Sequence, residues 1–292
     1  MHRTPTKRML IVQTGRAIAS VRARLGDFPH WFRVAMGLPR NAVEIVDVQH
    51  GDSLPSLLAG EARWALAASD RADEAPHHGY AGIVITGSNS MVSEREPWSE
   101  TTAEWIRAAH AANTPLLGVC YGHQLIAHAF GGRVDYHPQG REMGTQTIER
   151  LDSAEDDALW HDAPSRFVAH LTHRQSVLGA PCSAVILARS AHDPCQALRI
   201  GERTWGVQFH PEFSTAAMSS YIAARGEELL REGNCPRTLA RGVRAAPHAR
   251  AILRRFARLA FADTAGRITQ GCGIGAGTVG RSTTRVVIQR SQ

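Results

Sequence analysis

The chain has a single lysine, Lys7, so its basic character rests almost wholly on arginine. No apolar run approaches the ~18 residues that a bilayer-spanning helix needs, which argues against an integral membrane protein. The start, residues 1–8, is basic, but the apolar stretch behind it, Met9 to Val12, is too short for a signal-peptide core. A cytoplasmic protein is the expectation. Cysteine is sparse: five residues, at 120, 182, 195, 235 and 272, odd in number and without CxxC spacing. That pattern argues against a disulfide framework and against a zinc site. The fifteen histidines are scattered, with only His77 and His78 adjacent, so most read as ordinary surface or core residues. No metal and no cofactor is called for.

What is present fits a globular chain. Its 292 residues are enough for one large α/β domain or two small ones with a substantial core. Hydrophobic content of 43% and charged content of 21% are ordinary. The net charge of +6 is unevenly placed. From Gly233 onward there are eleven arginines and one acid, Asp263, whereas residues 1–232 hold 22 basic and 26 acidic residues, a balance of −4. The body is mildly acidic, and the basic tail lacks the interleaved aromatics or recognition motif of a nucleic-acid binder. Nucleic acid is therefore not an expected partner, nor is a membrane.

Taken in order, Met9–Gln13 reads as a short buried strand. A turn at Gly26-Asp27 leads into an amphipathic segment to about Met36, and Val43–Val48 alternates as a second strand. Residues 60–72 are alanine-rich and helix-prone. Gly82–Ile85 is a third, fully apolar strand, as expected of a parallel sheet covered on both faces. Trp98–Ala112 is a helix stopped before Pro115, Leu116–Val119 a fourth strand, and Tyr121–Phe130 the next helix. Strands alternating with helices predict an α/β fold with an open, doubly wound, mostly parallel sheet flanked by helices. In such sheets ligands bind beyond the carboxyl ends of the strands.

The second half changes to short β-like runs at 133–136, 144–150, 167–171, 184–188, 196–200 and 205–208, read as additional antiparallel strands. A helix is expected from about Thr215 to Arg231 and another from Pro247 to Phe261. The organisation expected is a main α/β domain over 1–232, an arginine-rich helical extension over 233–262, and a Gly/Arg-rich, disordered tail over 263–292. Within the tail, Gly275 to Gly280 fits GxGxxG, and Gly275 to Ser282 fits a Walker loop with Arg281 in place of lysine. Both motifs need a strand before and a helix after, and only a dozen residues follow Gly280, so they read as incidental.

The chemistry concentrates at Gly118-Val119-Cys120-Tyr121-Gly122-His123-Gln124. A strand that breaks directly into a helix holds its central residue in a strained conformation above the sheet edge, and glycines on both sides allow the close backbone passage. The helix N-terminus favours a thiolate. Cys120 is thus a candidate nucleophile. Such a cysteine needs a base, an orienting carboxylate and an oxyanion hole. His210 and Glu212, two apart after the strand TWGVQF, point the same way in an extended backbone and supply the first two, with Pro211 stiffening the spacing. Gln124, one turn past Cys120, returns to the same helix face. Cys182, Cys195, Cys235 and Cys272 lack glycine flanks and a partner motif. An α/β-hydrolase would follow its elbow with an acid and a distant histidine, an order that His210-Pro211-Glu212 does not offer.

GVCYGHQ together with HPE resembles the class I (triad) glutamine amidotransferases, with the similarity running from about Met9 to Arg231. The opening GDFPHWF and the EPW before the Trp98 helix look most like stand-alone proteins related to the glutaminase domain of GMP synthetase. The resemblance implies the family's flavodoxin-like fold and a Cys120–His210–Glu212 triad that hydrolyses the side-chain amide of glutamine through a γ-glutamyl thioester. It also implies an oxyanion hole from the backbone N–H groups of Tyr121 and of Gly87, in the Thr86-Gly87-Ser88 loop. Substrate contacts are implied from Gln124, Thr172, His173 and Gln175, in a loop where Arg174 stands in place of the family's usual glycine. No SGGxDS pyrophosphatase loop occurs, and the residues after Arg231 are too few for a synthetase domain, so ammonia would pass to a separate acceptor subunit, or there is no acceptor. Two other readings stay open: a γ-glutamyl peptide or conjugate hydrolase with the same triad, and a catalytically silent binding or regulatory homologue.

Overall fold

A computed structural model describes residues 7–57 and 79–269. The expected helix at 60–72 and the glycine motifs of the tail lie outside these residues. Strand β1 (Met9–Gln13) is followed by helices α1 (Ala19–Leu25) and α2 (Phe28–Met36), β2 (Val43–Asp47), β3 (Gly82–Ile85), α3 (Pro97–Ala111), β4 (Leu116–Val119) and α4 (Tyr121–Ala129). Then come β5 (Arg133–Tyr136), β6 (Glu142–Arg150), β7 (Arg166–His173), β8 (Gln175–Gly179), β9 (Ala184–Arg189), β10 (Ala197–Ile200) and β11 (Thr204–Val207). Helices α5 (Thr215–Ala224), α6 (Gly226–Arg231), α7 (Pro236–Arg241) and α8 (Pro247–Thr269) complete the described chain, the last running past its expected end at Phe261.

Nine strands form one sheet in the order β2-β1-β3-β4-β11-β10-β9-β6-β7. The first five are parallel, and the next four continue the sheet antiparallel. This is the mixed, doubly wound architecture that the alternation of periods predicts. β5 does not join the main sheet: it pairs with β8 in a separate two-stranded ribbon, and β8 has no counterpart among the expected strands. Its five residues follow β7 after Arg174 alone, which leaves no turn signal between the two strands.

Strand β1 shows why the sheet is buried on both faces. Met9 and Ile11 enter one apolar layer with Val21, Phe32, Met218 and Phe256, while Leu10 and Val12 enter the other with Ile106, Leu125 and Ile126. Alternate side chains of a strand point to opposite faces, so a fully apolar run is the pattern this position requires. The first layer is built by α1, α2, α5 and α8; the second by α3 and α4. Helix α8 presents Ile252, Leu253, Phe256, Ala257 and Ala260 to the sheet, at helical spacing, and leaves Arg254 and Arg258 exposed. At the start of α2, the Asp27 carboxylate accepts the Phe28 N–H at 2.9 Å, capping the helix, and the Ala17 N–H at 2.8 Å.

The single helix expected over 215–231 is two. Arg225 leaves the helical region at φ −101°, ψ 14°, just before Gly226, whose flexibility makes helix interiors costly. Its guanidinium is drawn to Glu228 at 2.8 Å and to Asn89 at 2.9 Å.

The strand-to-helix corner depends on two close approaches. A Cβ on Gly118 would lie 2.3 Å from the Gly122 carbonyl oxygen, and a Cβ on Gly122 would lie 2.5 Å from that of Ile85. Both neighbours are backbone and cannot rotate away. Gly122→Ala is therefore expected to lower the unfolding free energy by about 1–3 kcal/mol or more, the range for overpacking, in chemical denaturation. A variant as stable as the parent would contradict this packing.

Candidate functional site

Strands β4 and β11 lie side by side with Val119 opposite Val207, so the residues after both strands emerge at the same sheet edge. Cys120 comes after the first and His210 after the second. Cys120 sits at φ 53°, ψ −102°, a positive φ outside glycine's usual monopoly and a sparsely populated conformation costing roughly 1–3 kcal/mol. Its N–H donates to Val207 O at 2.9 Å, and its carbonyl accepts from Gln124 N at 3.1 Å. The His210 N–H is held by the His170 carbonyl at 2.8 Å.

The buried imidazole of His210 stacks on the ring of Phe213 at a centroid distance of 4.3 Å, with the Phe28 ring 6.4 Å away. Its Nδ1 donates to Glu212 Oε1 at 2.7 Å. That bond orients the ring and leaves the buried Nε2 as the nitrogen that meets the Cys120 thiol. Burial pushes the Cys120 thiol up, but the charge of His210 and its hydrogen bond outweigh this, and the net shift is downward. Burial lowers His210; the Glu212 and Cys120 charges oppose it and hold the imidazole well above its ordinary value. The two directions agree: the pair favours thiolate and imidazolium.

The loop after β3 is pinned against the same corner. Thr14 N donates to Thr86 Oγ1 at 3.0 Å, Thr14 Oγ1 donates to Thr86 O at 2.9 Å, and Thr86 Oγ1 donates to Gly87 O at 3.0 Å. Gly87 lies against both members of the pair, since a Cβ there would be 3.1 Å from His210 Cε1 and 3.7 Å from Cys120 Cβ. The Tyr121 N–H belongs to the first turn of α4, where the helix itself leaves donors unused. The Tyr121 side chain is tied away, with its hydroxyl 2.6 Å from Ser99 Oγ and its ring stacked on Trp98.

All of this opens into a cavity of about 970 Å³. Gln124, Thr172, His173 and Gln175 line it together with Cys120, Tyr121 and His210. Gln124 uses both amide hydrogens internally, donating to Gln175 O at 2.6 Å and to Gln208 Oε1 at 2.9 Å, so its Oε1 is what remains for a ligand. Thr172 Oγ1 is buried without a partner. Gln175 Nε2 donates to Ser93 Oγ at 2.5 Å, so its amide braces the loop before α3. The structure thus brings all nine sequence-predicted residues to one edge of the sheet. Among the described residues, no group of three or more His, Cys, Asp or Glu side chains is placed to hold a metal ion, and no helix is long and apolar enough to cross a membrane.

Sequence reasoning misses the polar residues that hold this set. Thr14 and Gln208 carry no motif of their own. Arg141, whose side chain is 2% exposed, stands before a strand with no signal to mark it as buried. It lines the cavity and binds Glu228 at 2.5 Å and Glu232 at 2.8 Å, tying β6 to the helical roof. The buried Glu142 beside it opens β6, two residues ahead of the strand start expected at Gly144.

A family model described as class I glutamine amidotransferase matches residues 61–227. The chain is 36% identical over 136 residues to a glutamine-hydrolysing GMP synthase subunit of Methanopyrus kandleri, covering 45% of this chain and 66% of that one. It is 32% identical over 167 residues to a gamma-glutamyl-L-1-hydroxyisopropylamide hydrolase of a Pseudomonas species, covering 54% of this chain and 56% of that one. The match thus spans less than two thirds of each of these relatives. In three dimensions, a glutamine amidotransferase from Thermotoga maritima superposes with a TM-score of 0.64 at 19% identity, over 88% of this chain and 99% of that one, a likeness of fold.

Replacing His210 by Asn removes the charge that lowers the Cys120 thiol. In peptide-resolved iodoacetamide labelling, the pH of half-maximal Cys120 reaction is expected to rise by about one to three units. An unchanged midpoint would separate the thiol from the imidazole.

Proposed function

Because the chain belongs to the class I glutamine amidotransferase family, we propose that it hydrolyses the side-chain amide of glutamine to glutamate and ammonia. The observation that carries this reading is the buried Cys120–His210–Glu212 arrangement, with His210 oriented by a 2.7 Å bond to Glu212 and interacting with the thiol.

The Cys120 thiolate attacks the amide carbon, and the carbonyl electrons move onto oxygen. The N–H groups of Tyr121 and Gly87 receive that oxyanion. As the carbon–nitrogen bond breaks, the His210 imidazolium gives its Nε2 proton to the departing ammonia, leaving a γ-glutamyl thioester. Neutral His210 then takes a proton from water as the hydroxyl adds to the thioester carbon. Collapse expels the thiolate, releases glutamate and returns the imidazolium, which Glu212 stabilises throughout. Gln124 Oε1 and Thr172 Oγ1 are the groups offered to the amino-acid end, with His173 and Gln175 framing them.

In this reading residues 1–232 carry the reaction, and the helical extension that covers the sheet runs from 233 to 269, seven residues past the boundary expected at 262. The similarity to a protein named as a synthase subunit supports a separate ammonia-accepting partner. A second reading, hydrolysis of γ-glutamyl conjugates by the same steps with an amine as leaving group, is favoured by two observations. One relative is named as a gamma-glutamyl amide hydrolase. The cavity, at about 970 Å³, is also larger than one amino acid requires and lies near the top of the ~300–1,000 Å³ range of small-molecule sites.

The purified chain is expected to release glutamate from glutamine, and Cys120→Ala to lose about a thousandfold or more of that rate. The pH profile of kcat/KM should be a bell. Its acid limb falls below the ordinary thiol value, where the thiolate is protonated, and its alkaline limb above the ordinary imidazole value, where the imidazolium is lost. A panel of γ-glutamyl amides decides between the readings: preference for conjugates over glutamine selects the second, and no turnover of either, with no effect of Cys120→Ala, rejects both.

A further inference from the structure

A second buried charge pair lies beside Cys120, and the proposed reaction does not use it. Glu142 and His173 stand opposite each other in the β6–β7 register, 5% and 4% exposed. His173 Nε2 is 3.0 Å from Glu142 Oε2, and its Nδ1 is 2.9 Å from the Gln175 carbonyl oxygen. A carbonyl oxygen and a carboxylate are acceptors only, so these two contacts call for a proton on each ring nitrogen; the Ser176 hydroxyl lies farther from Nδ1, at 3.5 Å. The carboxylate is itself surrounded by donors: Gln196 Nε2 at 2.7 Å from Oε2 and Ser190 Oγ at 2.8 Å from Oε1. The Gln175 oxygen also accepts from Gln124 Nε2 at 2.6 Å, which couples the ring to the helix that begins at the nucleophile.

The surroundings isolate this charge. Asp193 approaches from the segment before β10, His123 from α4, and Cys120 from the corner. The His192 ring meets His173 edge-on at 6.4 Å and packs 4.1 Å from His137. Burial drives His123 down to about 4 and lowers His137, so neither competes as a cation near neutrality. His173 and Cys120 line the same cavity wall, and the charge of His173 acts on the thiol in the same sense as that of His210.

We propose that Glu142 is a positioning residue that keeps His173 doubly protonated, and that this fixed cation stabilises the Cys120 thiolate alongside His210. The inference rests on Cys120 being the nucleophile but not on glutamine being the substrate. His173 is then more than a contact for the amino-acid end of the ligand. It supplies a charge that does not move during the reaction, whereas the His210 proton leaves with ammonia and returns from water.

Two measurements test it. In the parent chain, the 1H–15N imidazole spectrum at neutral pH should show both His173 nitrogens protonated; a single protonated nitrogen overturns the proposal. Glu142→Gln keeps the shape and an acceptor while removing the charge. It is expected to move the acid limb of Cys120 alkylation upward by about one pH unit, with roughly tenfold slower labelling below the limb. Cys182, exposed, serves as the internal reference. Alkylation needs no glutamine, so a shifted limb in a chain that turns over no glutamine fails only the proposed activity. An unmoved limb in a folded variant, with KM raised alone, makes His173 a plain substrate contact and overturns the inference. Should Glu142→Gln not fold by circular dichroism, the parent imidazole spectrum decides.

Discussion

The approach of three backbone segments at one sheet edge is the constraint on which the site depends. The Gly122 N–H reaches the Thr86 carbonyl at 3.2 Å, and that carbonyl also accepts from Thr14. One short contact thereby joins the ends of β1 and β3 to the start of α4. It holds Cys120 at a positive φ, sets the Gly87 loop against it, and requires two glycines in a row of buried residues. The parallel neighbour β11 then delivers His210 from the other side. Function here begins as a problem of backbone clearance, and the side-chain chemistry is mounted on its solution.

The electrostatics have a second layer. Taken alone, a thiol buried this deeply would hold its proton. Its surroundings reverse that preference with imidazoles whose own protons are secured by carboxylates: His210 by Glu212 at 2.7 Å and His173 by Glu142 at 3.0 Å. The two pairs sit on antiparallel and parallel parts of the same sheet. The antiparallel extension is therefore part of the site's electrostatic frame as well as of the core.

Much of this was legible in the residues. The apolar runs of β1, β3 and β4 marked a sheet covered on both faces, and the glycines around Cys120 marked the corner, because close packing leaves its signature in residue size. Spacing also placed His210 and Glu212 on one side of an extended backbone. What could not be read was pairing that depends on distant chain. Nothing local distinguishes Thr14 from any threonine after a strand, or Glu142 from any exposed acid at a strand's start. The split at Arg225 and the ribbon of β5 with β8 likewise depend on where Glu228, Asn89 and the neighbouring strands lie. The amphipathic, arginine-rich pattern over 247–261 marked α8 as a helix, but the sheet against which it buries Phe256 lies far along the chain.

One peptide bond separates Arg141 from Glu142, yet the two face different tasks. Arg141 clamps the helical roof through Glu228 and Glu232, while Glu142 grips His173 beneath the cavity. The cavity mouth and the charge around Cys120 thus hang on neighbouring residues of one strand start. A redesign that widens the mouth by substituting Arg141 acts one residue from that carboxylate, so the shape of the cavity mouth and the charge around Cys120 are coupled variables.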